Sequence, residues 1–256
     1  EAIFTLAYLE PGRRYAPLPA ATRYRAHGAG FRLNGSKVLV WHAAAASALI
    51  VSAVDADGTA SLFIVPRDAP GVALRDYPTI DGVRAADITF TDVDLPADAL
   101  LGAQGEAGAA LELGLDHGIA ALCAHAAGAM ERLIDITADY LRTRKQFGQP
   151  LARFQALQHR MADMLIKKEL ALSMAYVAVS ALTERGPARR RRMISGAKTV
   201  VAEAGRFVGQ QAVQLHGGMG MTDELEVGDY FKRLTMVDPL FGDIDFHVER
   251  FAKEMQ

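Results

Sequence analysis

The proline map divides this chain before any residue is given a partner. Seven of its ten prolines precede Leu100, and none falls between Glu106 and Gln146. Proline locks φ and removes a backbone donor, so the first stretch is broken into short pieces while the second is free to run as helix. One helix over 106–146 would be about 60 Å long at ~1.5 Å per residue.

Six runs before Leu100 read as strands: Ile3–Leu9, Thr22–Ala26, Phe31–Trp41, Leu49–Val54, Ser61–Val65 and Ala86–Val93. Asn34-Gly35 stands between strand residues and predicts a two-residue hairpin turn, and Asp57-Gly58 and Asp81-Gly82 mark further turns. Short strands separated by turn residues predict an antiparallel, β-barrel-like domain over residues 1–103. Beyond it, Leu111, Leu115, Ile119 and Leu122 recur at helical spacing, and Leu133, Ile136 and Tyr140 continue the series. Helices are expected over 106–146, 153–184, 190–215, 226–232 and 245–255, with Gly148, Pro150, Gly186-Pro187 and Gly217-Gly218 as stops. The fold class is α+β: the β-domain, then an all-α helical bundle over 104–256.

Charge excludes some functions. The chain has 28 basic and 30 acidic side chains, split as −2 over residues 1–103 and zero over 104–256. Neither half carries a field for nucleic acid or a membrane surface. A single cysteine, Cys123, excludes an internal disulfide and a cysteine-based zinc site, and the histidines form no H-x-x-x-H pair, so no metal is expected. No run of about 18 apolar residues suggests a membrane span, and no signal peptide opens the chain. The expected location is cytoplasmic, and the chain reads as the interior of a longer protein.

Two segments could carry chemistry. Arg142-Thr143-Arg144-Lys145-Gln146-Phe147-Gly148-Gln149-Pro150-Leu151 places cations and an aromatic at a helix end. It is either a dipole-complementing cap or a clamp for an anionic group. Gln214-Leu215-His216-Gly217-Gly218-Met219-Gly220 is either a glycine C-cap or a place of close ligand approach. The run Arg189–Arg192 could suggest nucleic acid, but no aromatic is interleaved, so a solvated helix start is the better reading.

Taken together, these segments resemble the signatures of the acyl-CoA dehydrogenase family. The first continues through Phe154-Gln155-Ala156-Leu157-Gln158, and Glu10-Pro11-Gly12 and Leu33-Asn34-Gly35-Ser36-Lys37 are similar to the strand motifs of the family's middle domain. Met221–Leu225, Tyr230–Thr235 and Leu240–Asp243 look most like the small subunits of pimeloyl-CoA-type dehydrogenases. The family's N-terminal helical domain has no counterpart here.

The resemblance implies FAD and the conversion of an acyl-CoA thioester to the α,β-enoyl-CoA. In the family a carboxylate removes the α-proton as hydride moves to the flavin, and electrons leave to an electron-transfer flavoprotein. It implies a homo- or hetero-oligomer, a dimer of dimers, with FAD shared between subunits. Carried over, Arg144, Phe147 and Gln155 match one cross-subunit FAD segment, and Gln214, Leu215, His216, Gly217 and Gly218 match the second. Tyr8 and Leu9 match the strand meeting the isoalloxazine, and Asp116 matches an acidic position near the acyl-CoA.

Departures from the family cluster on the substrate side. Tyr15 stands where a serine often touches cofactor and substrate. Leu39 and Trp41 replace the Trp and Thr that face the flavin, and Ile119 replaces an arginine. The motif bearing the glutamate base reads Phe241-Gly242-Asp243-Ile244, with Gly242 in the place of the base. Asp243 is then either a substitute base or the N-cap of the last helix. The alternative function is a non-catalytic scaffold that completes a partner subunit's FAD site.

Overall fold

The computed structural model describes residues 2–255. They form two compact units, Glu1–Gly114 and Leu115–Gln256.

The first unit is built on one sheet. Its strands are β1 (Phe4–Ala7), β2 (Arg23–His27), β3 (Gly30–Trp41), β4 (Ala48–Val54), β5 (Ala60–Pro66), β6 (Val72–Pro78), β7 (Arg84–Leu95) and β8 (Leu100–Leu101). The order is β6-β7-β3-β2-β4-β5-β8, with β1 added on β4. The expected antiparallel barrel is corrected in two respects. β1 and β2 both pair with β4 in parallel, so the sheet is mixed, and it is not closed. β6 at one end is half exposed and carries Arg75 and Asp76, and β8 at the other is two residues long. A charged edge and a very short edge each discourage further pairing.

Asn34-Gly35 is not a turn. It lies inside the twelve-residue β3, at a register shift against β7. The β2–β3 turn comes earlier, where His27 pairs with Gly30 and Gly28 has φ 57°. Asn34 instead clasps β7: its amide donates to the Asp92 carboxylate and its carbonyl accepts from the Asp92 N–H at 2.8 Å. Gly35 is required there, because a Cβ would lie 2.6 Å from the Thr22 backbone and φ is 141°. The Asp57-Gly58 and Asp81-Gly82 turns form as expected, joining β4 to β5 and β6 to β7. β6 was hidden in the sequence by Pro70-Gly71 ahead of it and the Arg75-Asp76 pair within it.

Leu33, Leu49, Val51, Phe63, Val65 and Ile88 fill the sheet's core. Lys37 is buried among them. Its ammonium donates to Glu10 at 3.1 Å, to the Tyr8 carbonyl at 3.2 Å and to Ser52 at 3.1 Å. Glu10 in turn accepts from the amides of Ala20, Ala21 and Thr22.

The second unit is a bundle. Its helices are α1 (Ala107–Thr143, begun in the first unit), α2 (Gln155–Ala181), α3 (Pro187–His216), α4 (Val227–Val237) and α5 (Ile244–Lys253). A two-stranded hairpin, β9 (Lys145–Gln146) with β10 (Gln149–Pro150), follows α1. α3 takes α2, α4 and α5 against its sides. Small residues permit this: Gly209 lets Phe231 come within 3.2 Å of where its Cβ would be, and Gly205 seats Leu234. By length and composition α1 could cross a bilayer, against the expectation of no such helix. Its Asp116, however, is fully buried and held by Arg190 and Arg250, which suits a helix of a protein core.

Removing Lys37 should destabilise the first unit. Lys37→Met leaves a buried carboxylate with amide donors but no counter-charge, and a loss of about 3 kcal/mol is expected by urea unfolding. Burial alone would raise the Glu10 pKa, but the three amides and Lys37 outweigh it and hold it down to about 2 against an ordinary 4.5. This contribution is therefore complete above pH 4.5 and should be lost as pH falls from 4.5 to 2.

Candidate functional site

The end of α1 is tied to the hairpin that follows it. The Arg144 N–H donates to the Tyr140 carbonyl at 2.8 Å, and the Leu151 N–H closes onto the Arg144 carbonyl at 2.9 Å. Phe147 and Gly148 form the tip with φ 53° and 79°, the positive pair that a type I′ turn requires. A phenylalanine held in the left-handed region and 88% exposed has no role in a core. Its ring meets Phe154 edge-on at 6.0 Å. Arg144, just before the hairpin, is exposed, and Gln155 opens α2.

The second segment lies at the end of α3. Leu215 and His216 are buried, while Gln214, Gly217 and Gly218 are exposed. The His216 ring stacks on Tyr140 at 4.3 Å, and the Tyr140 hydroxyl donates to the His216 carbonyl. Tyr140 thus joins the two signature segments, since Arg144 hangs from its carbonyl and His216 lies against its ring.

His216 has a second property. Its Nδ1 is 2.8 Å from the Ala212 carbonyl, which can only accept, so Nδ1 carries the proton and Nε2 is an acceptor. Among the described residues Nε2 is the one buried side-chain N or O atom with no hydrogen-bond partner. Burial pushes the imidazole pKa below its ordinary value, which keeps it neutral. Beside it, a Cβ added to Gly217 or Gly218 would meet nothing within 4 Å. A buried acceptor awaiting a donor, next to open backbone, fits a hydroxyl- or amine-bearing ligand such as the nucleoside end of FAD. The exposed Arg144 suits its phosphates.

The loop between α4 and α5 is closed by comparison. Gly242 has φ 115°, and a Cβ there would fall 2.4 Å from the Phe246 ring and 2.8 Å from His247 Nε2. Phe241, with φ 59°, lays its ring over Gly118 of α1, where a Cβ would lie 2.9 Å away. Asp243 caps α5, accepting from the Phe246 N–H at 2.9 Å. Asp116, matched by resemblance to the acyl-CoA, is enclosed by Arg190 at 2.8 Å and Arg250 at 3.3 Å. The arginine run is spent on ion pairs: Arg189 with Glu184, Arg190 with Asp116, and Arg191 with Glu254.

Four candidate residues lie in the first unit. The Tyr8 carbonyl is taken by Lys37 and the Leu9 carbonyl by the Val38 N–H at 3.0 Å. Burial raises the Tyr8 phenol pKa. The Trp41 carbonyl accepts from the Thr5 hydroxyl at 2.6 Å. The Tyr15 ring lies under Arg14 at 5.3 Å.

Comparison with known proteins bears on the whole chain. The family model of the acyl-CoA dehydrogenase C-terminal domain matches residues 107–256, and that of the middle domain matches residues 5–93. The mitochondrial short-chain specific acyl-CoA dehydrogenase of Homo sapiens is 30% identical over 91% of this chain. The short-chain specific acyl-CoA dehydrogenase of Megasphaera elsdenii is 30% identical over 79% of it. The chain spans 58% and 54% of the lengths of these two relatives. Among solved structures, an FAD-dependent dehydrogenase superposes with a TM-score of 0.92 at 25% identity, covering 99% of this chain and 70% of that one. A variant of the Tcur3481-Tcur3483 steroid ACAD gives 0.86 at 31% identity, covering 98% and 66%. With both of its domain models matched in order, the chain belongs to the acyl-CoA dehydrogenase family.

Proposed function

We propose that this chain takes part in FAD-dependent α,β-dehydrogenation of an acyl-CoA thioester, as a subunit of an oligomer. The observation that carries this reading is the end of α3, where the unpartnered His216 Nε2 adjoins two open glycines. Bound FAD would supply the two-electron acceptor, with an electron-transfer flavoprotein as the onward partner. This chain's residues do the rest. Arg144 offers a charged donor to a phosphate, His216 accepts from the nucleoside, and Gly217 and Gly218 admit the ligand to the backbone. Oligomerisation has support in α2, which exposes Ile166 (63%), Tyr176 (68%) and Val179 (51%) along one helix.

The loop at residue 242 favours a second reading for this chain alone. A glutamate there would need its Cβ inside the Phe246 ring contact and a residue other than glycine at φ 115°. Asp243 is the nearest carboxylate, and one of its oxygens is spent on the helix cap. The base is therefore either Asp243, released from its cap, or a glutamate in a partner subunit's own site. In the latter case this chain is the scaffold that completes the partner's FAD site.

The test is co-purification of the chain with its natural partner, followed by the flavin absorbance spectrum and its bleaching on adding acyl-CoA. A colourless assembly overturns the FAD reading. Asp243→Asn keeps the cap and removes the basicity. Wild-type turnover in the assembled complex would assign the base to the partner, and loss of turnover with FAD retained would assign it to Asp243.

Two further outcomes are expected. Arg144→Ala should weaken FAD retention by about 1.5–3 kcal/mol, the worth of a charge-assisted hydrogen bond, as read by equilibrium dialysis. His216→Phe keeps the stack on Tyr140 and removes the orphan acceptor together with one ordinary hydrogen bond. The ligand-free protein should then be no less stable than wild type, within about 1 kcal/mol by urea unfolding, while holding FAD less tightly.

A further inference from the structure

The α4–α5 loop is fastened through its carbonyls. The Lys198 ammonium, on α3 and fully buried, donates to the Asp238 carbonyl at 2.9 Å and to the Gly242 carbonyl at 2.7 Å. Between them the Phe241 carbonyl lies 3.1 Å from His247 Nε2, on α5. A carbonyl cannot donate, so Nε2 carries the proton, and Nδ1 accepts from the Ser195 hydroxyl at 3.2 Å, again on α3. Two further contacts finish the loop: the Asp238 carboxylate accepts the Ile244 N–H at 3.0 Å, and Asp243 accepts the Phe246 N–H.

This arrangement holds two consecutive residues, Phe241 and Gly242, at positive φ. Such a backbone persists only where its surroundings over-determine it. We propose that Lys198 is a positioning residue for the reaction: it fixes the 238–243 loop by two carbonyls, and so sets where Asp243 stands at the head of α5. His247 shares the task from the other side. The proposal rests on the dehydrogenase reading above for its link to turnover, but not for the staple itself.

The chemistry suits an amine that need not stay charged. A neutral amine keeps two N–H groups, one for each carbonyl, so the loop stays fastened when the proton leaves. Burial lowers the Lys198 pKa to about 8, with Cys123 on α1 and Asp238 and Asp243 in the loop opposing the shift. Burial, with Lys198 and Arg250, lowers His247 to about 3, so it remains neutral. Unfolded lysine holds its proton to 10.5, so the unfolded chain binds more protons between pH 8 and 10.5 and stability should rise with pH across that window. Lys37 adds a slope of the same sign, so Lys198 is read from the difference between wild type and variant.

Lys198→Met keeps the length of the side chain and removes the donors. Hydrogen exchange at the Ile244, Phe246 and His247 amides should quicken at least tenfold, and the rise of stability from pH 8 to 10.5 should shrink. In the complex assembled with its natural partner, kcat should fall at least tenfold while KM and FAD content hold. Wild-type exchange and an unchanged pH slope in the variant would overturn the staple. Altered exchange with wild-type kcat would overturn its role in the reaction. If Lys198→Met does not fold, His247→Gln carries the test, with faster exchange at the same amides expected and wild-type exchange counting against. A wild-type complex with no dehydrogenase activity would sink the dehydrogenase reading and leave the exchange result to decide the staple.

Discussion

An ammonium group taken out of water must find oxygen in every direction its protons point, and each unit of this protein is arranged around one such group. In the sheet, Lys37 finds a carboxylate, a carbonyl and a hydroxyl. In the bundle, Lys198 finds two carbonyls of one loop. Both lysines lose affinity for their proton through burial, to about 8. Their settings nevertheless differ in kind. Lys37 is half of an ion pair whose other half organises the Glu10–Thr22 loop, so its charge matters. Lys198 is matched by neutral acceptors, so its geometry matters more than its charge.

That contrast orders the rest of the structure. The Glu10 knot fixes the chain leaving β1, next to the Tyr8 and Leu9 backbone. The Lys198 staple fixes the chain between α4 and α5. The first knot lies against the Tyr8 carbonyl and the second against the loop that precedes Asp243. In each case a buried polar group with full satisfaction specifies one backbone path where an apolar contact would permit several.

Much of this was legible in the sequence, for definite reasons. The long helices were visible because Glu106–Gln146 lacks proline and its leucines keep the helical period; of the expected stops Gly217 caps α3, whereas Gly148 is the tip of the hairpin after α1 and Pro187 opens α3. The strands were visible except β6, where Arg75 and Asp76 broke the apolar alternation, and β8, too short for any pattern. The parallel pairing of β1 with β4 was not legible, because the two strands are more than forty residues apart and no local pattern announces their register. Asn34-Gly35 misled because the dipeptide that favours a hairpin also suits a bulge, and only Thr22 packed against Gly35 decides between them. Of the candidate site, Arg144 and Gln214 were singled out from their motifs, and both are exposed. Tyr140 heads the first signature segment and keeps the helical phase, but nothing in the sequence announces its stack on His216.

The glycines draw the final distinction. Gly217 and Gly218 have empty space where a side chain would be, whereas Gly118 and Gly242 have a ring of their own chain there. A glycine of the first kind leaves room for a ligand, and one of the second kind makes room for packing. The end of α3 is therefore open at its paired glycines. The α4–α5 loop has spent its glycine on closing around Phe246 and His247. A single substitution of Gly242 by glutamate cannot reverse that closure, because the Phe246 ring, the His247 bond to Phe241 and the Lys198 staple would all have to move with it. Gly242 and the closed loop are one structural feature, and no side chain at position 242 can face a ligand unless Phe246, His247 and the Lys198 contacts are rebuilt with it.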